Sequence, residues 1–172
     1  MVDLETLSTS MDAQILTIGA VAFNFWGKVT DEFYRRVDVT SCEELGLRKS
    51  DETVKFWEGQ HEDARKEAFD PENRQSIRKV IEEFNQFWVK NKGERFWCLG
   101  ANFDEPILST VYERLSIQKP WKFWNVRCLR TYLGVVGLSM SSFGTVAHHA
   151  LADCKNQILA YNQANLILSK YK

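Results

Sequence analysis

Ile15 to Phe23 reads Ile-Leu-Thr-Ile-Gly-Ala-Val-Ala-Phe, an unbroken apolar run rich in β-branched residues. The run is too short to cross a membrane and has the composition of a buried strand. Downstream, Val29 to Val39 carries Phe33, Val37 and Val39 at intervals of two or four, the period of another strand. Asn24 to Lys28 (NFWGK) lies between them, contains a glycine and has the length of a hairpin loop. Upstream, Val2-Asp3-Leu4-Glu5-Thr6 alternates apolar and polar residues as a strand does. The first third of the chain therefore predicts a meander of antiparallel strands.

After about residue 50 the period changes. Ser50 and Asp51 can cap a helix carrying Val54, Phe56 and Trp57, and Ile77, Val80, Ile81, Phe84 and Trp88 recur at helical spacing. Phe96 to Leu99 (FWCL) reads as a short buried strand ending at Gly100, followed by a helical stripe of Ile107, Leu108, Val111, Tyr112 and Leu115. A loop at Lys119-Pro120-Trp121 precedes a helix expected over Arg127 to Val136, and a long last helix is expected over Ala150 to Lys170. Strands first, then helices interleaved with a further strand, predict an α/β fold with helices covering a mixed sheet.

The totals agree with one domain spanning residues 1–172: 44% of residues are hydrophobic and 13% aromatic, enough for a single buried core. No apolar run reaches the ~20 residues of a membrane span, and the N-terminus lacks a basic-then-apolar secretion pattern, so a soluble cytoplasmic protein is expected. Cys42, Cys98, Cys128 and Cys154 stand far apart, which argues against a zinc knuckle or a disulfide framework and for reduced, mostly buried thiols. A net charge of -1 lacks the basic bias of proteins that grip long duplexes.

Three stretches carry chemistry. Asp3 and Glu5, two apart on a strand, share a face; two carboxylates there repel each other and resist desolvation unless a cation joins them, although a solvated strand at a frayed terminus reads the same way. In Gly100-Ala101-Asn102-Phe103-Asp104-Glu105-Pro106, Asp104 opens a helix, either as an ordinary N-cap or as a ligand-binding group at a strand end. In His148-His149-Ala150-Leu151-Ala152-Asp153, Asp153 lies on the polar side of the last helix, within reach of the sheet edge or simply in solvent.

Taken together, an Asp-x-Glu strand, a mid-chain Asp opening a helix and His-x-Ala-x-x-Asp opening the last helix resemble the DEDDh branch of the DnaQ-like 3′–5′ exonucleases, which have an RNase H-like fold. The likeness extends over nearly the whole chain: Asp3-Leu4-Glu5-Thr6-Leu7 with Asp12-Ala13, Trp57-x-x-Gln60 with Ala64-Arg65-Lys66, GANFDEPIL, Pro120-Trp121 and Arg130-Thr131 look like one subgroup. That subgroup holds phage and prophage exonucleases of the exodeoxyribonuclease VIII type and the mycobacterial adenylate-preferring exoribonuclease. Two departures stand out: relatives commonly carry an acid where Cys128 stands, and Asp3 lies unusually close to the first residue.

The resemblance implies an RNase H-like mixed sheet, an antiparallel meander of three strands plus parallel strands, flanked by helices. It implies that Asp3, Glu5, Asp104 and Asp153 ligate two Mg²⁺ or Mn²⁺ ions, and that His148, on the loop before the last helix, is the general base. Helical geometry alone leaves His148 and His149 open, since a spacing of four lets His149 share a face with Asp153. Ser141 to Ala147 would be the loop that orders on substrate binding. The implied partners are 3′ ends of single-stranded DNA or RNA, with a homodimer as the family's common assembly; adenylate-preferring RNA hydrolysis and a nucleic-acid-binding module without hydrolysis are the alternatives. Expected substrate neighbours are Thr6, Leu7, Asn102, Trp57, Arg127 and Arg130; Trp57 serves equally as a core residue, and the two arginines equally as solvated helix positions.

Overall fold

The computed structural model describes residues 1–143 and 148–170. Its strands are β1 (Val2–Thr6), β2 (Ile15–Phe23), β3 (Val29–Val37), β4 (Arg74–Gln75), β5 (Phe96–Cys98) and β6 (Val126–Cys128). Its α-helices are α1 (Val39–Glu44), α2 (Asp51–Glu58), α3 (Glu62–Phe69), α4 (Ile77–Lys90), α5 (Asp104–Leu115), α6 (Leu129–Val135) and α7 (Ala150–Ser169). The sheet order is β1-β2-β3-β4, antiparallel through the first three strands and parallel at β3-β4. A parallel pair, β5-β6, packs beside β1. The meander and the mixed architecture are those of an RNase H-like fold.

The β2-β3 hairpin turns where expected. Asn24 Oδ1 accepts from the Trp26 and Lys28 backbone N–H groups at 3.0 Å each, and Gly27 takes the left-handed φ of 71° that favours glycine. Ser50 caps α2 through its side chain, and α4 buries Ile77, Val80, Ile81, Phe84 and Trp88, each worth roughly 1.5–3 kcal/mol relative to an exposed side chain.

Two assignments differ from the sequence reading, those of Val39 and Arg127. Val39 begins α1 instead of ending β3, because Asp38 accepts from the Thr40 N–H and caps a helix there. Arg127 belongs to β6 and not to a helix: Trp97 pairs with it in the parallel register, and the helix begins only at Leu129. Asp104 opens α5 as expected, and of its two readings the cap is not the one realised: Phe103 occupies the cap position, and the Asp104 carboxylate is turned inward to β1.

The meander has two unlike faces. Val2, Leu4, Ile18, Ala20 and Phe33 point to one side and form the main core with Cys42 of α1, the α4 stripe and Ile107, Leu108, Val111 and Tyr112 of α5. On the other side lie Asp3, Glu5, Thr17, Gly19 and Tyr34, and α7 crosses over them. Gly19 permits that crossing. A Cβ there would sit 2.4 Å from the Ala150 carbonyl carbon and 2.6 Å from the Leu151 nitrogen, a hard clash with backbone. Cys154 Sγ donates to the Gly19 carbonyl at 3.5 Å, and Gly19 is also the register partner of Asp3. The missing side chain thus lets the first turns of α7 rest on the strand next to the Asp-x-Glu pair.

Candidate active site

Asp3, Glu5 and Asp153 converge. Each offers a carboxylate oxygen within 4.8 Å of the others. The strand period aims Asp3 and Glu5 at α7, and Asp153 faces them from that helix's first turn. Asp104 adjoins this trio from the side of α5, 3% exposed, with its Oδ1 accepting from the Leu4 N–H at 3.2 Å. Asp153 Oδ2 accepts from the His149 N–H at 3.2 Å, and Asp3 Oδ1 accepts from Gln157 Nε2 at 2.7 Å.

Burial and mutual repulsion shape the charge. Burial, then the neighbouring Asp104, Glu5 and Asp153, holds Asp3 well above the usual carboxylate range, and Gln157 pulls the other way. Burial followed by Asp153 and Asp104 pushes Glu5 up to about 8. Asp104 rises to about 7 through burial, opposed by the Leu4 N–H, its own N–H and the charge of Arg130. Among the described residues, no Lys, Arg or His lies within ion-pair range of Asp3, Glu5 or Asp104. Carboxylate oxygens without thiolate, packed together and short of positive charge, fit a hard divalent cation.

A cavity of about 450 Å³ opens over these acids, a volume in the range of small-ligand sites. His148 lines it together with Asp3, Glu5 and Asp153, and Phe56, Leu99, Phe103, Met140 and Phe143 supply apolar wall. His148 takes a left-handed φ of 49° before α7, and its ring meets those of Phe56 and Trp57 at 5.3 and 5.9 Å. His149 turns elsewhere. It stacks on Tyr34 with ring centres 4.8 Å apart and does not line the cavity. Of the two histidines, His148 is the one that lines the cavity, whereas His149 meets Asp153 through its backbone N–H.

The comparisons agree with this geometry. Residues 1–164 match the family described as 3′-5′ exoribonuclease Rv2179c-like domain. The chain belongs to this family. It is a 3′–5′ exonuclease. The chain is also 26% identical, over 202 aligned residues, to the exodeoxyribonuclease of Enterobacteria phage T4, with 95% of this chain and 87% of the relative covered.

The exonuclease spreads its expected substrate neighbours unevenly. Thr6 lines the cavity, whereas Leu7 is buried beside it with Leu16, Trp57 and Ala68. Trp57 lines the cavity but is largely core: it is 2% exposed, and its indole N–H donates to the Thr6 carbonyl at 2.9 Å, fastening α2 to β1. The exposed aromatic of that pair is Phe56. Arg130 is exposed and acts on Asp104 through its charge, while Arg127 Nη1 is engaged by the Trp124 and Val126 carbonyls at 2.7 and 2.9 Å. Asn102 is exposed in the turn before α5 and does not line the cavity. Of the loop expected over 141–147, residues 144–147 lie outside the described residues, and Met140–Phe143 form a short 3-10 turn. No helix among the described residues is long and apolar enough to cross a membrane.

Gln157 and Phe56 were not singled out by sequence. Gln157 had a signal, since it stands four residues after Asp153 and so on the same helix face. Phe56 looked like half of a core pair with Trp57, and only the packing separates them.

Proposed function

We propose that this exonuclease is metal-dependent and hydrolyses the terminal phosphodiester at the 3′ end of single-stranded DNA or RNA, releasing nucleoside 5′-monophosphates. The observation that carries the reading is the meeting of Asp3, Glu5 and Asp153 oxygens within 4.8 Å on the floor of a cavity that His148 also lines. Asp3, Glu5, Asp104 and Asp153 would hold two Mg²⁺ or Mn²⁺ ions, which when bound supply Lewis-acid activation of water and charge stabilisation at the leaving oxygen.

The chain's own groups do the rest. His148 Nδ1 or Nε2 takes a proton from the water that attacks the terminal phosphorus; the P–O3′ bond breaks, the phosphate leaves on the terminal nucleotide, and the shortened strand keeps a 3′-hydroxyl. A histidine suits this task because its ordinary titration range brackets neutrality. Phe56, Phe103 and Phe143 present apolar surface to an unstacked terminal base, a contact worth ~1–3 kcal/mol per base on an aromatic platform. Thr6, which lines the cavity, borders the terminal nucleotide, and the exposed Arg130, whose charge acts on Asp104, is a candidate phosphate contact. The family's description favours RNA and the phage relative's name DNA, so the sugar is an outcome of the test.

In that test, 5′-labelled single-stranded DNA and RNA oligomers are incubated with protein and Mg²⁺. Stepwise shortening that disappears with EDTA, with Asp3→Asn and with His148→Ala is expected. Undiminished shortening in EDTA would refute metal dependence, and a folded protein inert on both polymers would favour the binding module.

A further inference from the structure

Main-chain and side-chain donors steer the site aspartates differently. The Leu4 N–H holds Asp104 and the His149 N–H holds Asp153, both main-chain groups that follow from the fold itself. For Asp3 the donor is a side chain: Gln157 Nε2, at 2.7 Å from Asp3 Oδ1. Among the described residues no other group donates to the Asp3 carboxylate.

Gln157 is badly suited to a structural role. It is 2% exposed, and its Oε1 is buried with no partner among the described residues. A buried amide oxygen without a donor costs stability, and an apolar side chain of the same size would fill the site without that cost. The amide cannot be turned round, since its oxygen would then face the Asp3 carboxylate and repel it. Its charge is equally informative. A lysine in its place would neutralise Asp3 and stand in for a cation, and a glutamate would add another acid to a crowded cluster. A neutral donor fixes one oxygen of Asp3 while leaving the group's charge and its second oxygen unspent.

We propose that Gln157 is a positioning residue that locks the Asp3 carboxylate in the orientation from which it holds a divalent cation. The proposal rests on the reading of Asp3 as a cation ligand. Metal-ligating carboxylates are generally oriented by such outer partners, whose loss weakens metal binding by about 10–100-fold.

The experiment measures Mn²⁺ binding to the full chain by calorimetry, without nucleic acid, together with the melting temperature in EDTA. Gln157→Leu removes the donor at similar volume, and Gln157→Met, unbranched and of similar length, covers the case in which leucine does not fold. The expected result is Mn²⁺ affinity lowered about 10–100-fold with a metal-free melting temperature equal to or above the parent's. Affinity within twofold of the parent would overturn the proposal, and so would a melting temperature that falls in step with the affinity, because that is the mark of a merely structural residue. Asp3→Asn separates the premises: if it too binds Mn²⁺ normally, the reading of Asp3 as a ligand has failed, and if it alone loses binding, the failure belongs to Gln157.

Discussion

The two faces of the β1-β2-β3 meander show what one strand pair does under opposite demands. Toward α4 and α5, Leu4 meets Ile18, and Ala20 meets Phe33, an apolar interdigitation with Phe84 edge-on to Phe33 at 5.6 Å. Toward α7, Asp3 lies opposite Gly19 and Glu5 opposite Thr17, so carboxylates share a partly enclosed space that burial penalises. Stability is concentrated on one face, and the other gives some of it up to crowded, buried carboxylates. Side-chain alternation puts the two within a single residue of each other along β1.

Gly19→Ala should break the arrangement most completely. The added methyl meets Ala150 backbone at 2.4 Å and must lift the start of α7, carrying Asp153 away from Asp3. Overpacking of this kind costs about 1–3 kcal/mol, and a displacement of about 1 Å costs on the order of 10²-fold in rate; urea unfolding and turnover on a labelled oligomer read the two separately. Phe84→Ala strikes the opposite face. It should cost about 3–5 kcal/mol in urea unfolding while the specific activity of the folded fraction stays near that of the parent. Equal loss of activity in both variants would dissolve the contrast between the faces.

Glu5→Gln should separate activity from stability. Turnover is expected to fall by about 10²-fold or more, as when one group of a preorganised electrostatic site is lost. The metal-free protein should nonetheless melt higher than the parent above neutral pH. The sign follows from the raised carboxyl: Glu5 in the folded chain titrates at about 8, above its unfolded value of about 4.3, so the folded state binds the extra proton between those limits. Metal-free stability is fully retained below about pH 4 and declines as pH rises toward 8, and the variant should flatten that decline. Melting curves in EDTA from pH 5 to pH 9 check it, and a parallel slope in parent and variant would refute it.

Asp31→Asn should have the smallest effect. Asp31 pairs with Lys90 at 2.8 Å on the exposed rim, and the Lys90 and Asn91 hydrogen bonds hold it down to about 2. Its contribution is present above the unfolded value of about 3.9 and is lost as pH falls through about 2, so parent and variant melting curves should converge in acid and differ only slightly at neutrality, with equal activity throughout.

Much of this was readable because it is periodic. The run from Ile15 to Phe23 and the stripe from Ile77 to Trp88 carry their own geometry, and Ser50 announced its helix by cap chemistry. The short helices α1 and α3 carry no comparable stripe and were missed, and the strand at Arg127 is defined by Trp97 beside it, far away in sequence. Asp104 looked like a cap because caps and inward-turned acids use the same residue in the same place; only the approach of Leu4 distinguishes them. Helical spacing left His148 and His149 open, and the φ of 49° that sends one to the cavity and the other onto Tyr34 is a tertiary outcome. Nothing local marks Gly19 as the place where a helix lands.

The close approach of α7 to β1 and β2 has a consequence for biosynthesis. A ribosome makes Asp3 and Glu5 long before Asp153, so a chain grown only through α6 lacks both the helix that completes the acidic cluster and the histidine that precedes it. The meeting of the three carboxylates is therefore a late event in synthesis that waits for α7.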